Sequence, residues 1–124
     1  MNNLKSRIQS GNVAKGVFVG IESPQITKVM AQSGMDFVFI DQQHGLIAPD
    51  ALDHMITPLM VPVSSSDSSQ SANVSCVPIV RVATNDPGLI MGALDRGALG
   101  IVCPLVNTGE EARRFIHAMR YPPK

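Results

Sequence analysis

The stretch Val77 to Pro87 reads VPIVRVATNDP. Its first part, Val77 to Val82, is a mostly apolar, β-branched run without polar alternation, the pattern of a strand covered on both faces. Its last part sets Asp86 ahead of Pro87, a capping side chain followed by a proline at the first helical position. A buried strand with a helix start close behind it is the repeating unit of parallel α/β folds.

The same grammar recurs on either side. Gly16 to Ile21 (GVFVGI), Phe37 to Asp41 (FVFID) and Gly100 to Cys103 (GIVC) are further short apolar runs. Between and after them lie segments with helical period. In Pro24 to Ser33 the apolar positions are Ile26, Val29 and Met30; in Asp50 to Met60 they are Leu52, Met55, Ile56, Leu59 and Met60. Ser23 precedes Pro24 as Asp86 precedes Pro87, and Thr108 with Glu111 forms a capping box for a last helix striped by Ala112, Phe115, Ile116 and Met119. Gly34 and Gly97 supply helix stops. Pro58 should kink or end the second helix. Val61 to Ser75 (VPVSSSDSSQSANVS) is too polar to pack and reads as an exposed serine-rich loop.

Strand and helix thus alternate four times within one domain spanning residues 1–124, and such alternation forces right-handed parallel crossovers. The class is α/β. Four βα units suit either an open flavodoxin-like sheet or half of an eightfold barrel, whose whole takes about 250 residues.

Composition narrows the function classes. Lys plus Arg equals Asp plus Glu at 10 each, so no net field draws the chain to nucleic acid or an anionic membrane. No apolar run approaches the ~20 residues that cross a bilayer, and the opening MNNLKSRIQSGN lacks a signal-peptide core, so a cytoplasmic setting is expected. Cys76 and Cys103 match no metal spacing and read as buried reduced thiols. The glycines lack the spacing of a phosphate loop or dinucleotide fingerprint.

In parallel α/β folds ligand sites gather at the carboxyl ends of strands. There stand Asp41 to Gly45 (DQQHG), Arg81, and Pro104 to Thr108 (PLVNT), with Phe18 inside the first strand. His44 is carried by a loop before a glycine, and an imidazole suits proton transfer near neutral pH. A structural histidine is the alternative. Arg81 interrupts an apolar run, where a guanidinium needs an anionic ligand or a buried acid such as Asp41. Asp41 and Asp95 are candidate partners for both, while His54 and His117 fall on helices and read as surface residues. His44 and Arg81 should emerge from neighbouring strands into one electropositive pocket.

The blocks GVFVGIESP, GMDFVFIDQQHG, VPIVRVATNDP, ALDRGALGIVCPLVNTGEEAR and the closing RYPP together resemble the HpcH/HpaI aldolase and citrate lyase family, from about Gly16 onward. The resemblance implies half of a TIM-type (β/α)8 barrel, the N-terminal one. It also implies carbon–carbon lyase chemistry on a small 2-keto acid and an aldehyde through a pyruvate enolate held by divalent magnesium, manganese or cobalt. By that likeness His44 is the catalytic histidine and Arg81 binds and steadies the substrate carboxylate and enolate. Phe18 lines the substrate pocket where relatives often carry tryptophan, and Asp95 is similar to the carboxylate that pairs with the histidine. Gln43 departs from the pattern, standing where relatives usually have Glu. The family's metal-ligating Glu and Asp lie in later strands, and no residue here matches them. A truncated gene product is therefore expected, with little turnover of its own. The alternatives are a non-catalytic remnant or a half-barrel that pairs with another copy or a relative.

Overall fold

A computed structural model describes residues 3–61 and 76–121. In chain order the elements are α1 (Asn3–Gln9), β1 (Gly16–Val19), α2 (Pro24–Gln32), β2 (Phe37–Asp41), a short 3-10 turn (Pro49–Ala51), α3 (Leu52–Met60), β3 (Val77–Arg81), α4 (Pro87–Asp95), β4 (Gly100–Val102) and α5 (Gly109–Ala118). The strands form one parallel sheet in the order β1-β2-β3-β4. Sequential parallel neighbours require crossover helices, and α2, α3 and α4 supply them.

The helix starts follow the caps in the sequence. The Ser23 hydroxyl accepts from the Ile26 N–H at 3.3 Å, and Asp86 Oδ1 accepts from the Leu89 N–H at 3.0 Å. Thr108 accepts from the Glu111 N–H at 3.1 Å while Glu111 Oε2 accepts from the Thr108 N–H at 3.0 Å, closing the capping box. Because one hydroxyl satisfies an otherwise orphaned donor, Thr108→Ala should lower stability by about 1 kcal/mol in urea unfolding. An unchanged midpoint would show that the box is idle. Gly34 and Gly97 follow α2 and α4 at φ +79° and +99°, the left-handed conformation that ends a helix.

Three boundaries differ from the sequence reading. β1, β3 and β4 stop at Val19, Arg81 and Val102, one or two residues early, because the chain turns there into the loops of the carboxyl end. Pro58 lies inside α3, which stops at Met60 within the same turn, as loss of one backbone donor in the last turn permits. α1 was not legible; Leu4, 8% exposed, is its one buried side chain among the described residues. The serine-rich loop expected at 61–75 lies, from residue 62 on, outside the described residues.

Alternation along the strands divides the sheet. Val19, Val38, Ile40 and Val80 point to a face covered by Ala31 of α2, Leu52, Met55, Ile56 and Leu59 of α3, Ile90 and Ala93 of α4 and Ala118 of α5. On the other face Phe18 is 62% exposed and Val102 is exposed as well. The sequence predicted strands buried on both faces; within one chain only one face is buried, since all the crossover helices lie on the same side. That one-sidedness separates half of a (β/α)8 barrel, where helices form an outer ring, from an open doubly wound sheet with helices on both faces. Among the described residues no helix is long and apolar enough to cross a membrane.

Candidate active site

The register pairs Asp41, the last residue of β2, with Arg81, the last residue of β3. Adjacent parallel strands set equivalent residues side by side, so the two side chains meet at the carboxyl end of the sheet. Arg81 Nε donates to Asp41 Oδ1 at 2.9 Å and Arg81 Nη2 donates to Oδ2 at 2.7 Å, a two-bond fork on one carboxylate. Asp41 is 7% exposed. The Arg81 guanidinium holds its carboxyl down at a pKa of about 2, helped by backbone N–H groups and opposed by burial. Of the two alternatives for Arg81, the buried acid partner is present. Arg81 uses Nε and Nη2 in this fork, and among the described residues no hydrogen bond engages Nη1, a donor left for a ligand.

The same carboxylate fastens the loop that carries His44. Asp41 Oδ1 accepts from the backbone N–H of Gln43 at 3.0 Å and of His44 at 3.2 Å. The next residue, Gly45, is pressed against β1's exit: a Cβ there would collide with the Asp41 carbonyl oxygen and come within 2.9 Å of the Gly20 Cα. Leu46 N–H donates to the Gly20 carbonyl at 2.8 Å, and Ile21 bridges Leu46 in parallel. His44 is therefore fixed at its backbone while its side chain is exposed.

Beneath Arg81 lies an aromatic platform. The Phe18 and Phe39 rings are 4.2 Å apart between centroids and tilted by 34°. The guanidinium carbon stands 5.7 Å from the centroid of each ring, within the range where a cation is attracted to an aromatic face. Sequence reading singled out Phe18 but missed Phe39. The available signal was spacing, since Phe39 precedes Asp41 by two and shares its face of the strand.

Two expectations change. Asp95 does not come to His44 within the chain: it ends α4, at the opposite end of the sheet, and accepts from the Tyr121 hydroxyl at 2.6 Å. A helix that returns the chain to a strand start must end at the amino side of the sheet, which is why a carboxylate there stands far from the mouth. The mouth is not strongly electropositive, because the charge of Arg81 is balanced by Asp41. Among the described residues no three His, Cys, Asp or Glu side chains converge as a metal site, and the carboxylate at the mouth already uses both oxygens. These residues do not by themselves fit a divalent metal. His54 and His117 are exposed on α3 and α5, as the sequence indicates.

The profile of the family described as HpcH/HpaI aldolase/citrate lyase matches residues 14–124. A hydroxypyruvate/pyruvate aldolase of Roseovarius nubinhibens is 36% identical over 98% of the chain, which spans 43% of that protein. A 4-hydroxy-2-oxovalerate aldolase of Novosphingobium aromaticivorans is 32% identical over 99% of the chain, again spanning 43% of the relative. Among solved structures, macrophomate synthase superposes with a TM-score of 0.75 at 34% identity, over 98% of this chain and 38% of its own. The chain thus spans less than half the length of the relatives it matches.

Proposed function

The chain belongs to the HpcH/HpaI aldolase/citrate lyase family, and from that premise we propose that its mouth serves carbon–carbon cleavage or formation in a small 2-keto acid through a pyruvate enolate. One observation carries the reading. A single carboxylate, Asp41, grips the Arg81 guanidinium by a fork and the backbone N–H of His44, so the cation and the loop that carries the imidazole share one anchor at the carboxyl end of adjacent strands. In the cleavage direction His44 takes the proton of the C4 hydroxyl and the C3–C4 electron pair passes into the enolate as the aldehyde leaves. The imidazolium then returns the proton to C3. Arg81 offers its free edge to the carboxylate or the enolate oxygen as charge develops. Phe18 and Phe39 hold the guanidinium against the sheet by cation–aromatic attraction. A divalent metal expected of the family would have to be held by residues other than those described.

That lack of a metal-holding group among the described residues favours a second reading, a half-barrel without turnover of its own. An aldol assay with pyruvate, an aldehyde and magnesium or manganese separates the two. The purified chain should turn over slightly at most, and that turnover should vanish in His44→Ala. It should also fall sharply in Arg81→Lys, which keeps the charge and loses the planar fork. Brisk turnover indifferent to both substitutions would defeat the site assignment.

A further inference from the structure

Strand register sets what lies beneath Arg81. Phe18, Phe39 and Ile79 are partners across β1, β2 and β3, one step below the level of Asp41 and Arg81 and on the same face of the sheet. Phe39 is the middle member, with a strand on either side. Phe18 stacks on it, the ring centroids 4.2 Å apart, and Ile79 is its partner on β3. Ile79 is in turn in register with Gly100, where a Cβ would come within 3.3 Å of Ile79 Cγ1. The glycine leaves this level to the larger side chains, and the Phe39 ring is confined between its neighbours.

Two different forces act on the guanidinium. Asp41 takes Nε and Nη2 in a fork, and each ring centroid stands 5.7 Å from Cζ, near enough to attract a cation. Among the described residues no hydrogen bond engages Nη1. Asp41 also balances the charge of Arg81, so an anion arriving at the mouth meets a directed donor rather than a free cation. How well it is held then depends on where Nη1 is aimed. The fork holds one edge of the guanidinium, and a ring against it resists the turning that would carry Nη1 away from the mouth.

We infer that Phe39 is a positioning residue for the reaction proposed above, on which the inference rests: its ring, backed by Phe18, restrains the Arg81 guanidinium and so sets how tightly the carboxylate of a 2-keto acid is held at Nη1. Phe39 acts through Arg81 and not on the reacting atoms. It therefore governs affinity and leaves proton transfer by His44 at its own rate.

Two measurements on the full chain test this, using Phe39→Leu, which keeps apolar bulk and loses the aromatic face, and Phe39→Tyr, which keeps the face. In the first, NMR of the side-chain nitrogens follows rotation of the Arg81 guanidinium about its Nε–Cζ bond, the resonance being the one that disappears in Arg81→Lys. Rotation should be about 3-fold faster in Phe39→Leu than in the wild-type chain, the size of one cation–aromatic contact at a partly exposed site, and unchanged in Phe39→Tyr. In the second, exchange of the pyruvate methyl protons for deuterium is followed against pyruvate concentration with magnesium present. The half-saturating concentration should rise about 3-fold in Phe39→Leu at an unchanged plateau rate, and return in Phe39→Tyr. Phe39→Met repeats both measurements if the leucine variant does not fold. Rotation at the wild-type rate without the ring overturns the inference, as does a loss confined to the plateau rate or a tyrosine variant that behaves like leucine. A wild-type chain that exchanges no pyruvate protons defeats instead the reaction assigned to the mouth, and the rotation rates still decide whether Phe39 holds Arg81.

Discussion

Asp41→Asn should remove about 2 kcal/mol of stability at neutral pH and, with it, most of the acid sensitivity of the fold. The carboxylate is nearly buried and its pKa falls from 3.8 to about 2, chiefly through the Arg81 fork. A folded pKa below the unfolded one means the stabilisation is fully present above the unfolded value and is lost as pH drops through the folded one. The wild-type chain should therefore lose that increment between about pH 5 and pH 2, whereas Asp41→Asn should show little of this slope. Breaking a fully buried pair costs about 3–5 kcal/mol, but the Arg81 side chain is 23% exposed and water recovers part of the loss. Urea unfolding at pH 7 and at pH 2 checks this: the two proteins should differ at the first and converge at the second. Equal stabilities at pH 7 would mean the fork is ornamental.

The second large effect belongs to a residue with no functional side chain. Gly45→Ala places a methyl group onto the Asp41 carbonyl oxygen and against Gly20, both backbone. A flexible side chain could swing away, but two strand exits tied by the Leu46–Gly20 hydrogen bond cannot. The cost should reach about 3 kcal/mol, the upper end for overpacking, and the loop should lose its register on Asp41. Loss of the protected Leu46 amide in hydrogen exchange would report that directly. Retention of both stability and protection would show that the loop is not held between Asp41 and Gly20.

Much of the fold was readable because its signals are local. Ser23, Asp86 and Thr108 cap helices where the sequence places the caps, and four apolar runs become four parallel strands. What failed to show was long-range. Whether a strand is buried on one face or two depends on which side the crossover helices fall, and Val38 and Phe39 look equally buried in the sequence. The site divides in the same way. Arg81 inside an apolar run announces a missing anion, and Asp41 was a nearby candidate. The bond from Asp41 to the His44 backbone depends on the path of a loop, and no residue type encodes it. Asp95 ends α4 and accepts from the Tyr121 hydroxyl, because the topology of a βα unit sends the end of α4 to the opposite side of the sheet from His44 within the chain.

The pairing of His44 with Arg81 at one mouth is tested most directly by exchange of the pyruvate methyl protons for deuterium, followed by proton NMR in the presence of magnesium. Exchange needs only the enolate half of the reaction, which is the part these residues are placed to serve. The wild-type chain should exchange C3 protons faster than buffer, and His44→Ala should cut the excess by about 10²-fold or more, the usual contribution of a positioned general base. A wild-type rate equal to buffer, or an excess that survives His44→Ala intact, would contradict the assignment.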